Sequence, residues 1–203
     1  MDSSAVHRTP VAIVGAGPTG ATAATLLAQY RVPSILIDRW PTVYPQPRAV
    51  HMDDEVMRIV NRLGVGERFA AISKPALGLR LLDSRHRVLA EFHRDTALSR
   101  NGYAQANMFD QPAFEMLLRD NLIHYPEVRR LSECEVTDIV TEDGQVRVAA
   151  VHRGDGTEYQ ILADYVLGCD GANSLVRDRI GTRMHDMGFR QRWVVIDVRA
   201  TVD

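Results

Sequence analysis

Two short runs near the start of the chain hold residue types that suit a phosphate-bearing ligand. Gly15-Ala16-Gly17-Pro18-Thr19-Gly20 is a Gly-x-Gly-x-x-Gly. Each glycine has a separate physical job in such a loop. The first permits a tight turn, the second lets backbone approach a pyrophosphate with no side chain between, and the third lets helix and strand pack closely. The helix that follows would turn free N–H groups and the positive end of its dipole toward the phosphates. Asp38 stands 23 residues after Gly15. An acid about 20 residues beyond the first glycine is placed to accept hydrogen bonds from an adenosine ribose, and its charge disfavours a 2′-phosphate there.

The spacing means little unless a strand precedes it and a helix follows. Val11-Ala12-Ile13-Val14 is a continuous apolar run, as in a strand buried on both faces of a parallel sheet. Ala21 to Tyr30 is rich in Ala and Leu and predicts a helix, which Pro33 ends. Ser34-Ile35-Leu36-Ile37 predicts the second strand, closing a β-α-β unit. The unit itself does not decide between FAD and NAD.

Further along, Pro41, Pro45 and Pro47 make residues 40–48 an ordered loop ending at Arg48. Asp53 predicts a helix N-cap. Asp54 and Glu55 sit where the dipole favours negative charge, and Gly64 is the stop. That reading is preferred to a metal site for the three acids. Leu79–Leu82 and Val88–Phe92 predict two strands around a polar turn. Asp110 predicts the cap of a helix from Gln111 to His124, with Pro112 in its first turn. Segments 135–142, 146–153 and 158–162, separated by Asp143-Gly144 and Asp155-Gly156, predict a three-stranded antiparallel meander. Tyr165–Cys169 predicts another buried strand, Ser174–Ile180 a short helix closed by Gly181, and Arg192–Val202 a last strand.

Composition narrows the class. Apolar residues make up 45% and charged residues 25%, which predicts a packed core rather than disorder. A net charge of −2 argues against a nucleic-acid or anionic-membrane surface. Lys74 is the sole lysine among 24 basic residues, so arginine supplies the rest, either for phosphate recognition or spread over solvated faces. Cys134 and Cys169 show no metal-ligand spacing with each other or with the seven histidines, which predicts a reduced, cytoplasmic protein. No apolar run approaches the ~20 residues that cross a bilayer. There is no Gly-x-Ser-x-Gly elbow of a hydrolase.

Four segments together resemble the class A flavoprotein monooxygenases, the single-component aromatic hydroxylases. They are Gly15–Gly20 with Asp38-Arg39; Pro47-Arg48-Ala49-Val50; Phe109-Asp110-Gln111-Pro112; and Gly168-Cys169-Asp170-Gly171-Ala172-Asn173-Ser174-Leu175-Val176-Arg177. Pro47 to Glu55 and Arg192 to Val198 look most like the branch acting on 3-(3-hydroxyphenyl)propionate and 3-hydroxycinnamate.

The resemblance implies an α/β fold, a Rossmann-like FAD-binding domain whose parallel sheet carries an inserted antiparallel meander, with parts of a substrate domain. It implies FAD as cofactor and NADH or NADPH as co-substrate. The reaction would be ortho-hydroxylation of a phenolic acid by O2 through a flavin C4a-hydroperoxide. Gly15, Gly17, Gly20, Asp38 and Arg39 would bind the cofactor. Arg48 would contact the pyrophosphate region and help receive the nicotinamide, Gln111 would bond the ribityl chain, and Asp170 would lie near the pyrophosphate. No catalytic acid or base is assigned. A homodimer is one assembly the resemblance allows, and no membrane or nucleic-acid partner is expected.

The expected division is a cofactor domain over residues 1–182, with an excursion near 79–100, and the start of a substrate domain over 183–203. The family's second fingerprint, a Gly-Asp segment closing over the flavin, has no counterpart after Arg177. A last strand with an open edge likewise predicts that the chain is truncated. Other flavin oxidoreductases on this fold, or a nucleotide-binding module without turnover, are the rival readings.

Overall fold

The computed structural model of the chain describes residues 6–46, 48–94, 97–194 and 196. In chain order its elements are β1 (Val6–Val14), α1 (Pro18–Gln29), β2 (Ser34–Ile37), β3 (His51–Asp53), α2 (Asp54–Arg62), α3 (Gly66–Ala70), β4 (Ser73–Pro75), β5 (Gly78–Leu82) and β6 (Val88–His93). There follow β7 (Ala106–Phe109), α4 (Gln111–Asn121) with a 3-10 turn at Leu122–His124, β8 (Val128–Leu131), β9 (Cys134–Glu142), β10 (Gln145–His152), β11 (Glu158–Gly168) and α5 (Leu175–Arg179).

One six-stranded sheet, ordered β8-β2-β1-β11-β10-β9, carries the fold. β8, β2, β1 and β11 run parallel, and β10 and β9 continue the sheet antiparallel. The central strands are buried on both faces because their side chains alternate between two cores. Val11, Ile13 and Leu36 pack with Ala24 of α1, Val60 of α2, Phe69 of α3 and Leu118 of α4. Ala12, Val14, Ile35 and Ile37 face the other way, against Ile139, Val148, Ile161 and Val176.

The expected β-α-β unit is present, and α1 starts at Pro18 rather than Ala21. Proline fits a first helical turn because its missing N–H would find no partner there. Asp53 caps α2, its Oδ1 accepting from Val56 N at 2.9 Å, and Gly64 closes that helix at φ 81°. Asp110 caps α4 through Ala113 N at 3.0 Å. Asp143 and Gly144 both take positive φ, 50° and 78°, as a two-residue hairpin turn requires.

The meander differs from expectation in its last strand. β11 is continuous from Glu158 to Gly168, so the expected strands 158–162 and 165–169 are one element. Ala163 pairs with Val146 of β10 on one side and Thr9 of β1 on the other, and the meander is therefore part of the main sheet. Beyond Ala163 β10 offers no further partner, so Tyr165 is 69% exposed rather than buried.

Among the described residues β5 and β6 pair only with each other, and they expose Leu79, Leu81, Val88, Leu89 and Phe92. Residues 192–194 are described and form no strand, and the rest of the strand expected at Arg192–Val202, apart from Ile196, lies outside the described residues. No described helix is long and apolar enough to cross a membrane.

Candidate functional site

A cleft of about 440 Å³ opens at the carboxyl ends of β1, β2 and β11, where open α/β sheets hold their ligands. Its volume falls in the range of small-molecule sites. Seven of the eight positions expected from sequence line it, and Gly20 lies just beneath.

The glycines divide as the motif requires. Gly15 turns at φ 100°, and a Cβ there would overlap the Cys169 carbonyl. A Cβ on Gly20 would overlap the Gly15 carbonyl oxygen and lie 3.3 Å from Cys169 Cβ. Gly17 is different. Its φ of −68° and ψ of −173° suit any residue, and a Cβ there would meet nothing within 4 Å. The space over Gly17 belongs to the cleft. No described side chain caps α1, which leaves its first-turn N–H groups at the edge of that space.

Asp38 holds the loop. Its Oδ2 accepts from Ala16 N at 2.5 Å and its Oδ1 from Trp40 N at 2.8 Å. Both oxygens therefore serve backbone donors, one in the glycine loop and one just after β2. Asp38→Asn would turn an NH2 group toward one of those N–H groups. A loss of about 1–3 kcal/mol in folding stability is expected, the scale of a buried donor left without an acceptor. Urea unfolding measures it, and an unchanged midpoint would leave Asp38 a surface ornament.

Gln111 is committed in a similar way. Its Oε1 accepts from Arg48 N and Ala49 N, each at 2.7 Å, and its Nε2 donates to Glu115 Oε1 at 2.7 Å. In the structure this amide fixes the Arg48 loop to α4. The Arg48 guanidinium stacks on Tyr44 at 4.7 Å and has no acid partner among the described residues. Arg39 and Arg153 both lie over the Trp40 ring, at 5.6 and 5.4 Å.

Asp170 shapes the opposite wall. Its carboxylate accepts from Ser174 Oγ at 2.5 Å and Val176 N at 3.2 Å, while Ser174 Oγ caps α5 through Arg177 N at 3.0 Å. Gly171 turns at φ 83°, and a Cβ there would come within 4.0 Å of Arg48 Nη1. Burial, with the Asp170 charge beside it, pushes the Cys169 thiol above its ordinary range and so disfavours the thiolate.

Sequence reading missed Glu115 and Arg119 in the lining. The signal was present: Gln111, Glu115 and Arg119 recur every four residues, one polar stripe along an otherwise apolar helix face. The arginines divide between the cleft and the surface. Arg39, Arg48 and Arg119 line the cleft, while Arg87, Arg147 and Arg179 pair with exposed or half-buried acids outside it.

A family profile described as "FAD binding domain" matches residues 8–203. A protein of Burkholderia cenocepacia (strain HI2424), named 3-(3-hydroxy-phenyl)propionate/3-hydroxycinnamic acid hydroxylase, is 35% identical over 199 residues, covering 98% of this chain and 36% of that protein. One of Rhodococcus jostii (strain RHA1), named probable NADH-specific resorcinol 4-hydroxylase, is 32% identical over 193 residues, covering 95% of this chain and 36% of its own length. The chain thus spans about a third of the length of these relatives. Among solved structures, the flavin-dependent monooxygenase PieE in complex with FAD and substrate superposes with TM-score 0.76 at 26% identity, over 86% of this chain and 32% of that one. p-Nitrophenol 4-monooxygenase PnpA of Pseudomonas putida DLL-E4 does so with TM-score 0.77 at 22% identity, over 87% and 44%, and shares the fold.

Proposed function

The chain belongs to the FAD binding domain family, and from that membership we propose that it is the cofactor-holding part of an NAD(P)H-dependent hydroxylase of phenolic acids. The observation that carries the reading is the open approach to Gly17 at the start of α1, with Asp38 at one end and Asp170 at the other. A pyrophosphate fits that space because backbone N–H groups can reach it and no side chain intervenes.

In this reading Gly15 and Gly20 set the loop, and Gly17 admits the phosphates. Asp38 marks the adenosine end while bracing the loop, and Arg39 and Arg48 offer positive charge at the cleft mouth. Gln111 holds the Arg48 loop where it can approach the ribityl chain. Asp170 positions the Gly171 turn beside the phosphates. Bound FAD supplies the redox chemistry, accepting reducing equivalents from NADH or NADPH and activating O2. The protein supplies binding, orientation and exclusion of water. Residues 1–182 form the cofactor domain, and 79–100 with 183–203 belong to a substrate domain. That division accounts for the exposed apolar hairpin of β5 and β6. The family resemblance suits a cytoplasmic enzyme and allows a homodimer.

The ring substrate resembles a 3-hydroxyphenyl alkanoic or cinnamic acid, supported by the name of the Burkholderia relative at 35% identity. Joined to the remainder that its relatives carry, the chain is expected to oxidise NADH or NADPH slowly alone and much faster with its own phenol, releasing a catechol. Residues 1–203 alone are expected to oxidise the nicotinamide no faster than free FAD does. Coupled oxygen uptake and chromatography of the products measure both. Nicotinamide oxidation that no phenol accelerates would overturn the hydroxylase reading, leaving a different flavin oxidoreductase.

A further inference from the structure

Among the described residues, two buried side-chain polar atoms have no hydrogen-bond partner, Ser34 Oγ and Arg119 Nε. Arg119 alone of the two lines the cleft. Its side chain is only 13% exposed. Its nearest acid is Asp38, with Nη2 3.7 Å from Oδ2, beyond hydrogen-bond reach. Asp38 itself is occupied by the N–H groups of Ala16 and Trp40. Glu115, one turn back on α4, is taken by Gln111. A guanidinium carries five donors, and buried charges are ordinarily hydrogen-bonded as well as paired. Among the described residues, Arg119 has no carbonyl or carboxylate within hydrogen-bond reach to finish its bonding.

The charge around it sharpens the point. Asp38, Glu115, Glu135 and Asp170 line the cleft against Arg39, Arg48 and Arg119. A site that receives phosphates while carrying four carboxylates depends on each of its cations. Arg39 and Arg48 sit in the loop after β2, whereas Arg119 is fixed on a helix, inside, beside the acid that ends β2.

We propose that Arg119 is a ligand-binding residue of this cleft, its guanidinium completing its hydrogen bonds on ribose and phosphate oxygens at the adenosine end of a bound dinucleotide. This rests on the flavin-binding reading and adds to it a residue and a place. The planar fork suits adjacent oxygens, and the low local dielectric strengthens the contact. Without ligand the guanidinium makes only the 3.7 Å contact with Asp38, an acid already satisfied by two backbone N–H groups, so the fold depends little on it.

The test titrates FAD, and separately ADP, into the flavin-free protein carrying Arg119, Arg119→Met or Arg119→Lys, with thermal melting of each flavin-free form. Arg119→Met keeps the stem and removes the fork. It is expected to weaken FAD and ADP alike by roughly 10- to 100-fold, the range of one charge-assisted hydrogen bond, with no loss in flavin-free melting temperature. Arg119→Lys keeps the charge and is expected to fall between. Unchanged FAD affinity in Arg119→Met overturns the proposal. So does a weakened FAD with undiminished ADP, which would move the contact away from the adenosine end. A melting temperature that falls in the flavin-free form would make Arg119 a structural partner of Asp38 and overturn it too. Failure of the unsubstituted protein to bind FAD or ADP would overturn the flavin reading first, and this inference with it.

Discussion

Gly17→Val is expected to leave the protein folded and without FAD. The backbone at Gly17 is in an extended conformation open to valine, and the added Cβ meets no atom within 4 Å. The fold loses only the modest N-cap preference of glycine over valine, about 1 kcal/mol. The ligand loses its place, since a branched side chain would stand where backbone must approach phosphate. Gel filtration followed by the ratio of flavin to protein absorbance reads the loss, with circular dichroism as the control for folding. A folded variant holding flavin stoichiometrically would refute the assignment of this loop.

Gly20→Ala, three residues on, is expected to do the reverse and strike the fold itself. Its new Cβ would overlap the carbonyl oxygen of Gly15 and press on Cys169. Both neighbours are held. Gly15 N donates to Ile37 O at 2.7 Å and Cys169 N to Val14 O at 2.8 Å. Relief therefore requires α1 to move off the ends of β1 and β11, where Ala21 and Ala24 are buried. Overpacking against backbone costs about 3 kcal/mol. The urea midpoint should fall by roughly 1–2 M, and flavin should be lost along with it. An unchanged midpoint would show that the loop and helix are not packed as described.

The parts of this architecture that sequence made legible are those where one physical demand dominates. β1, α1 and β2 are two apolar runs with glycines between, and little else fits that pattern. The caps at Asp53 and Asp110 were equally plain, because each bonds the N–H three residues ahead. β8 was hidden because its middle residues are Arg129 and Arg130. It is an edge strand pairing only with β2, so its side chains need not be apolar. The first half of β1 was hidden by His7, Arg8, Thr9 and Pro10. There β2 has not yet begun, and proline is tolerated on a strand with one free edge. Asp164 made β11 look like two strands, yet its Oδ1 accepts from Gln145 Nε2 at 2.9 Å beside the sheet. The site residues were found where a motif marked them. Glu115 and Arg119 carry no motif; their four-residue spacing from Gln111 marks a polar stripe, but that the stripe faces the cleft follows only from how α4 packs, a tertiary fact.

The contrast among the three glycines also bears on how such chains diverge. Gly15 and Gly20 are guarded by the fold, since any side chain at either collides with backbone. Gly17 is guarded by the ligand alone. A lineage that ceased to need its cofactor would keep the first and last glycines under the ordinary pressure to remain folded, while the middle one drifted freely. The motif would then decay unevenly. A descendant with Gly15 and Gly20 intact and a bulky residue at position 17 would have the same sheet, the same helix and a vacant trade, and its sequence would record the change at that one position.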